Sequence, residues 1–104
     1  MVEYRLKLDL VFRALADGTR RGMLKQLAAR EERTVGELAA PYRMSLASAS
    51  KHVKALERAG LVKRTVRGRT HYCSLNPLPL SKADEWLRDL EQLWDIRLTR
   101  LEAS

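Results

Sequence analysis

Apolar residues recur along this chain in two rhythms. Over most of its length they fall three or four apart, the spacing of an amphipathic helix. Past the middle they lie in two β-prone runs broken by a glycine. Tyr4, Leu8, Val11, Phe12 and Leu15 make the first helical stripe, on a helix over 4–16, with Leu6 and Leu10 off it as additional apolar surface. Asp17 is placed to cap a second helix, 18–30, whose inner side is Met23, Leu24 and Leu27. The charged run Arg30-Glu31-Glu32-Arg33 then interrupts the pattern, as a solvated connection should.

Thr34 and Glu37 form a T-x-x-E capping box before Leu38 and Ala39, which predicts a short third helix ending near Ala40. Pro41 cannot continue its hydrogen bonding. Ser45 caps a fourth helix that runs to Ala59, and Gly60 supplies a left-handed stop. The β-prone runs are 61–66 and 70–75, joined by Arg67-Gly68-Arg69 in a hairpin that Pro77 and Pro79 close off. Ser81 and Asp84 start a last helix that reaches Glu102, with Trp86, Leu87, Leu90, Leu93, Trp94, Leu98 and Leu101 along one stripe.

A short capped helix, a tight turn, a longer capped helix and a basic hairpin spell a winged helix-turn-helix. At about 100° per residue, Ala49, Val53 and Leu56 share the inner face of the fourth helix, with Ser45 near it. Ala47, Lys51, Lys54 and Arg58 lie opposite, flanked by Ser48 and Ser50. A helix entering the major groove needs small residues for close approach, hydroxyls for base edges or phosphates, and cations for the backbone. Lys51 is the best placed for a guanine edge or a phosphate. Arg67, Gly68 and Arg69 at the hairpin tip suit a narrow minor groove, and Lys63 and Arg64 suit phosphates at its base.

Charge sharpens this picture. The chain has 104 residues and a net charge of +7. Between Arg43 and Leu75 there are eight basic residues and the single acid Glu57, while the rest of the chain is neutral. One third of the sequence therefore carries the whole excess, which points to a polyanion and double-stranded DNA in particular. A membrane-surface helix would set its cations beside a large free apolar face, whereas here that face is needed for packing. No apolar run is long enough for a transmembrane helix, and the N-terminus lacks the pattern of a secretory signal. One domain over 1–104 and a cytoplasmic, nucleoid-associated location are expected. No Ser/His/Asp order or paired-carboxylate setting suggests an enzyme.

The stretches LADGTRR (15–21), TVGELAAPYRMS (34–45), SKHVKALERAGLV (50–62) and VRGRTHYCSL (66–75) together resemble the ArsR family of bacterial transcriptional repressors. The resemblance covers nearly the whole chain. It implies a mainly α fold with a small β-hairpin (α+β): five helices plus a wing, with 34–59 as the helix-turn-helix and 61–75 as the wing. The helices over 4–16 and 81–102 would form a homodimer interface. On this reading Leu6, Leu10, Val11, Trp86, Leu90, Leu93, Trp94, Leu98 and Leu101 line that interface. Two extra apolar helices are more than a small three-helix core can cover, and pairing across a two-fold axis buries them.

Two departures from the family stand out. Gly18 occupies a position where members commonly have proline, which removes a preorganised helix start. The family's arsenic and cadmium sensors carry Cys-x-Cys on the third helix, but here that stretch is Glu37-Leu38-Ala39-Ala40-Pro41. Its zinc and nickel sensors use His with carboxylates on the last helix, but here Asp84, Glu85, Asp89, Glu91 and Asp95 stand without a His. No metal site and no cofactor are expected, since tight transition-metal binding normally needs an imidazole or thiolate. The chain looks closer to the metal-independent branch with tryptophans in its last helix. Cys73, alone on a strand, reads as a packing residue, with an intermolecular disulfide left open. His52 reads as a structural histidine, and His71 as touching phosphate or packing. A winged-helix protein-interaction or signalling adaptor, and a metal-responsive repressor with unusual ligands, stay open as other readings. So does an effector or protein partner.

Overall fold

The computed structural model describes residues 2–103, and the side chains among them except those at 2–6, 96, 98 and 103. Tyr4 of the first stripe and Leu6 and Leu98, expected at the interface, lie outside the described side chains. The elements run α1 (Val2–Leu15), α2 (Gly18–Ala29), β1 (Arg33–Thr34), α3 (Val35–Ala39), a 3₁₀ turn (Ala40–Tyr42), α4 (Leu46–Arg58), β2 (Val62–Arg67), β3 (Thr70–Leu75) and α5 (Leu78–Ala103).

The junction of α1 and α2 is held by two caps set back to back. Asp17 Oδ2 accepts from the Arg20 backbone N–H at 3.0 Å and so starts α2. The guanidinium groups of Arg20 and Arg21 reach the other way. They donate to the carbonyls of Arg13, Ala14 and Leu15 at 2.9, 2.8 and 2.8 Å, acceptors at the C-terminal end of α1, where Arg13 also takes the Ala16 N–H at 3.2 Å. Gly18 thus starts its helix without proline because Asp17 supplies the cap.

The capping box forms as expected. Glu37 N–H donates to Thr34 Oγ1 at 3.1 Å, and Thr34 N–H donates to Glu37 Oε1 at 2.9 Å. Pro41 does not stop the chain dead; it sits in the first turn of the 3₁₀ segment, where its missing N–H costs nothing. The turn closes at Arg43, whose φ of 53° is left-handed backbone on a non-glycine residue. Helix α4 ends as a Schellman motif at Gly60 (φ 75°): Leu61 N–H donates to the Leu56 carbonyl at 2.9 Å and Gly60 N–H to Glu57 at 2.9 Å.

Three expectations needed correction. The connection after α2 is not all loop: Arg33 and Thr34 pair antiparallel with Cys73 and Tyr72, making a three-stranded sheet of order β1-β3-β2. The hairpin loop has two residues, because Arg67 pairs with Thr70. Gly68 alone there has positive φ, 64°, which is the type II′ pattern matched to strand twist. Helix α5 starts at Leu78 and not at Ser81. Proline in the first turn loses no helical hydrogen bond, and Ser81 N–H already donates to the Pro77 carbonyl at 3.1 Å.

The core joins α1 through Val11 and Ala14, α2 through Met23, Leu24 and Leu27, α3 through Leu38, α4 through Val53 and Leu56, the wing through Leu61, Val62 and Cys73, and α5 through Ala83. Each fully buried aliphatic side chain here contributes about 1.5–3 kcal/mol relative to exposure. Val11 belongs to this core at 2% exposure and so cannot be an interface residue. Leu10 is half-buried against it.

Candidate nucleic-acid interface

The amphipathic pattern of α4 turns Ala49, Val53 and Leu56 inward, and this fixes what faces out. Ala47, Ser48, Lys51, Lys54 and Arg58 are exposed and Ser50 is half-buried on the flank. Ser45 is the N-cap, accepting from Ser48 N–H at 3.1 Å, and its hydroxyl donates to Ser48 Oγ at 3.1 Å. Ser48 therefore keeps its own hydroxyl proton for an outside acceptor. Among the described residues, Lys51, Lys54, Arg58, Lys63 and Arg69 are committed to no ion pair. Leu46, in the first turn of α4, is 64% exposed, and its charge-blind position escaped the sequence reading. An exposed leucine there suits a thymine methyl group. The signal was present in its place immediately after the cap.

The wing divides its cations by strand alternation. Residues opposite one another across an antiparallel pair share a face. Arg64 pairs with Cys73, on the face that Val62 turns toward the core, and this overturns its assignment to phosphate. Arg64 Nε donates to Glu57 Oε1 at 2.9 Å, and Nη2 approaches the same oxygen at 2.6 Å in a charge contact. Only 18% of its side chain is exposed. Nη1 lies 3.2 Å from His71 Nδ1, so His71 packs beside this pair. Arg64 is thus a tie between wing and helix, and counting in twos from Val62 would have found it.

Arg67, on the opposite face, is held back from the tip. Its guanidinium stacks 4.0 Å over the Tyr72 ring and meets Glu32 at 3.3 Å. Its donation to the Glu32 carboxylate is the main reason its pKa lies above the usual arginine value. Arg69 and Gly68 make the exposed tip. Glu32, read as part of a solvated connection, is a wing partner.

A second tie crosses from α4 to the α1–α2 junction: His52 Nδ1 lies 3.4 Å from Arg20 Nη1 and 3.8 Å from Asp17 Oδ2. The Arg20 backbone N–H, with Arg20 and His52 charges adding, holds Asp17 below the ordinary carboxylate range. His52 is a structural residue in this arrangement. Cys73 is fully buried, and burial pushes its thiol pKa up, so it is neither a thiolate nor accessible for a disulfide. Among the described residues, no three His, Cys, Asp or Glu side chains come together as a metal site, and no helix is long and apolar enough to cross a membrane.

Away from the basic face, α5 displays a large apolar stripe. Trp86, Leu90, Leu93, Trp94 and Leu101 are all exposed, Leu93 to 67% and Trp94 to 55%. The base of this helix packs on α1, where Trp86 meets Phe12 edge-to-face at 5.8 Å.

A half-exposed helix seated in a turn of helices and followed by a wing, with unpaired cations on both, defines a winged helix-turn-helix DNA-binding protein. A helix-turn-helix domain family matches residues 15–65. The chain is 36% identical over 91 residues to the HTH-type transcriptional regulator Rv2034 of Mycobacterium tuberculosis, covering 88% of this chain and 81% of that protein. It is 32% identical to the transcriptional repressor SdpR of Bacillus subtilis, covering 74% and 84%. The crystal structure of an ArsR family transcriptional regulator, RHA00566, superposes with a TM-score of 0.82 at 37% identity, covering 88% and 94%. A homodimeric winged helix-turn-helix DNA-binding domain, Mb0332 of Mycobacterium bovis, superposes with a TM-score of 0.67 at 27% identity, covering 93% and 86%. The chain belongs to the ArsR family of DNA-binding transcriptional regulators.

Proposed function

We propose that this chain acts in the cytoplasm as a homodimeric repressor that reads an imperfect palindrome, with α4 in the major groove and the wing tip on the flanking backbone or minor groove. The observation that carries this is the coincidence of free cations with the exposed face of α4 and the tip of the wing. On this reading Ala47, Ser48 and Lys51 meet base edges, with Leu46 beside them. Ser50, Lys54, Arg58 and Lys63 meet phosphates, and Gly68 and Arg69 enter the narrow groove. Ser45 orients Ser48. The exposed apolar stripe of α5 supports dimerisation, since a monomer seldom leaves such a surface in water. Two α4 helices related by a two-fold axis would meet successive major grooves about one helical turn apart. Similarity to a named repressor and to a homodimeric domain supports the same reading.

Sequencing genomic fragments retained by the purified protein tests it. Enrichment of one inverted repeat is expected, with anisotropy titrations showing that repeat bound at least a hundredfold tighter than random duplex. Equal affinity for both would refute sequence-specific repression. An adaptor role would call for a contiguous apolar patch on this face, but among the described large apolar side chains of α4 Leu46 alone is strongly exposed.

A further inference from the structure

Two arginines of the wing are tied to acids, and the ties differ in kind. Arg64 is sunk against Glu57, with 18% and 32% of the two side chains exposed. The Arg67–Glu32 pair lies more open, with 55% and 37% exposed. Arg67 Nη1 and Nη2 donate to Glu32 Oε1 at 3.3 and 3.4 Å. These are longer than the roughly 2.7–2.9 Å of a strong charge-assisted bond. An open pair of that length holds weakly and can exchange partners.

Glu32 is the fixed half of the pair. Arg33, next to it, donates from Nε to the Gln26 carbonyl at 2.9 Å and is paired through β1 with Cys73. Arg30, two residues earlier, meets Glu37 at 2.9 Å. The segment that carries Glu32 is therefore pinned on both sides. Arg67 is the long-armed half, on the last residue of β2, with its guanidinium 4.0 Å over the Tyr72 ring. Thr65 stands opposite Tyr72, so steps of two put Lys63, Arg67 and the tyrosine on one face of the sheet. Lys63 lies four residues before Arg67, and Arg69 lies two residues after it at the exposed tip. Released from Glu32, Arg67 would join these two cations.

We propose that Glu32 is a built-in brake on DNA binding, holding the Arg67 guanidinium away from a phosphate beside the wing tip. The brake rests on the DNA-binding reading. Carboxylate and phosphate are alternative partners for one guanidinium, so the tie to Glu32 and the contact to duplex oppose each other. Because the pair is exposed, releasing it should leave the fold intact.

Anisotropy titrations on an enriched genomic fragment, at several salt concentrations, test this with wild type, Glu32→Ala, Arg67→Met and the double variant. Glu32→Ala should bind at least threefold tighter than wild type and steepen the slope of log affinity against log salt by about 0.9, one phosphate gained. In the Arg67→Met background the same change should alter affinity less than about twofold. Melting temperatures of wild type and Glu32→Ala should agree. Unchanged affinity in Glu32→Ala overturns the brake. So does a gain that persists in full without Arg67, which would be the general effect of deleting one negative charge. A Glu32→Ala chain that melts well below wild type and binds more weakly makes the pair a structural tie and overturns the brake as well. These three outcomes leave the regulator reading standing. A wild-type chain that binds no duplex overturns that reading, and the brake with it.

Discussion

Arg64 of the wing and Glu57 of α4 meet at 2.6 Å, with less than a third of either side chain exposed. This pair ties the wing to α4 and fixes the position of one against the other. Arg64→Met should lower stability by about 1–2 kcal/mol, because it leaves the half-buried Glu57 without its donor. Its neighbour Lys63, on the outer face, should behave oppositely: Lys63→Met keeps the melting temperature and lowers DNA affinity. Urea unfolding and anisotropy on the two variants check this. A stable Arg64→Met with a reduced salt dependence would return Arg64 to the DNA surface.

The free cations should register in salt dependence. Lys54→Ala and Lys63→Ala should each flatten the slope of log affinity against log salt by about 0.9, the signature of one phosphate lost. Lys51→Ala should cost about 1–3 kcal/mol and relax preference at one base position. Arg67→Ala should have a smaller effect than Arg69→Ala, since Glu32 and Tyr72 already hold that guanidinium. Titrations at several salt concentrations decide it, and equal losses at Arg67 and Arg69 would mean that DNA pulls Arg67 off Glu32.

Gly22 is a packing requirement inside α2. A Cβ there would lie 1.7 Å from Tyr42 Oη and 3.0 Å from Cζ. Alanine normally favours a helix over glycine by about 0.5–1 kcal/mol. Here Gly22→Ala should instead destabilise by about 1 kcal/mol net, because the tyrosine must move. Combining it with Tyr42→Phe should recover part of the loss, read as the denaturation midpoint of the double variant.

Acid should loosen the helix starts. Asp17 is held below the ordinary carboxylate range by the Arg20 backbone N–H, and Glu37 by the Thr34 backbone N–H, with partial burial opposing and Arg30 adding. Both are more acidic folded than unfolded. Their contribution is therefore full at neutral pH and is lost as pH falls through the native values, beginning below about pH 5. Asp17→Asn with Glu37→Gln keeps cap acceptors and removes the titration. Chemical denaturation between pH 7 and pH 3 should show a shallower fall for the double variant, and an identical fall would assign acid sensitivity to other groups.

The stripe on α5 should govern assembly. Leu93→Glu or Trp94→Glu should convert a dimer to a monomer in sedimentation velocity, with the circular dichroism spectrum retained. DNA affinity should drop steeply, since one half-site no longer recruits the other. A wild-type chain that sediments as a monomer at all concentrations would dismiss the homodimer.

Much of this was legible in advance because its causes are local. The capping box at Thr34 and Glu37, the Ser45 cap and the Gly60 stop depend on residues within five positions of one another. The two-residue strand β1 had no such signal: two residues carry no period, and they become a strand only when β3 arrives beside them. Val11 fitted either a core or an interface stripe, because periodicity says that a face is buried and not by what. Pro79 suggested an ending, yet proline is neutral in a first turn, and the helix begins before it.

Local chemistry along the chain thus settled the helices, the hairpin, the basic third and the outward face of α4. Side chains repeat every 3.6 residues in a helix and every two in a strand, and charge adds up without any fold. The choice of which cations stay free was made in three dimensions. Arg64 pairs with Glu57 across seven positions, Arg67 with Glu32 across thirty-five, and His52 with Arg20 across thirty-two, and the +7 of the sequence is divided between structural ties and open surface by those meetings. The reason is that an ion pair or a side-chain hydrogen bond depends on proximity through space, which only the packing of α4, the wing and the α1–α2 junction supplies.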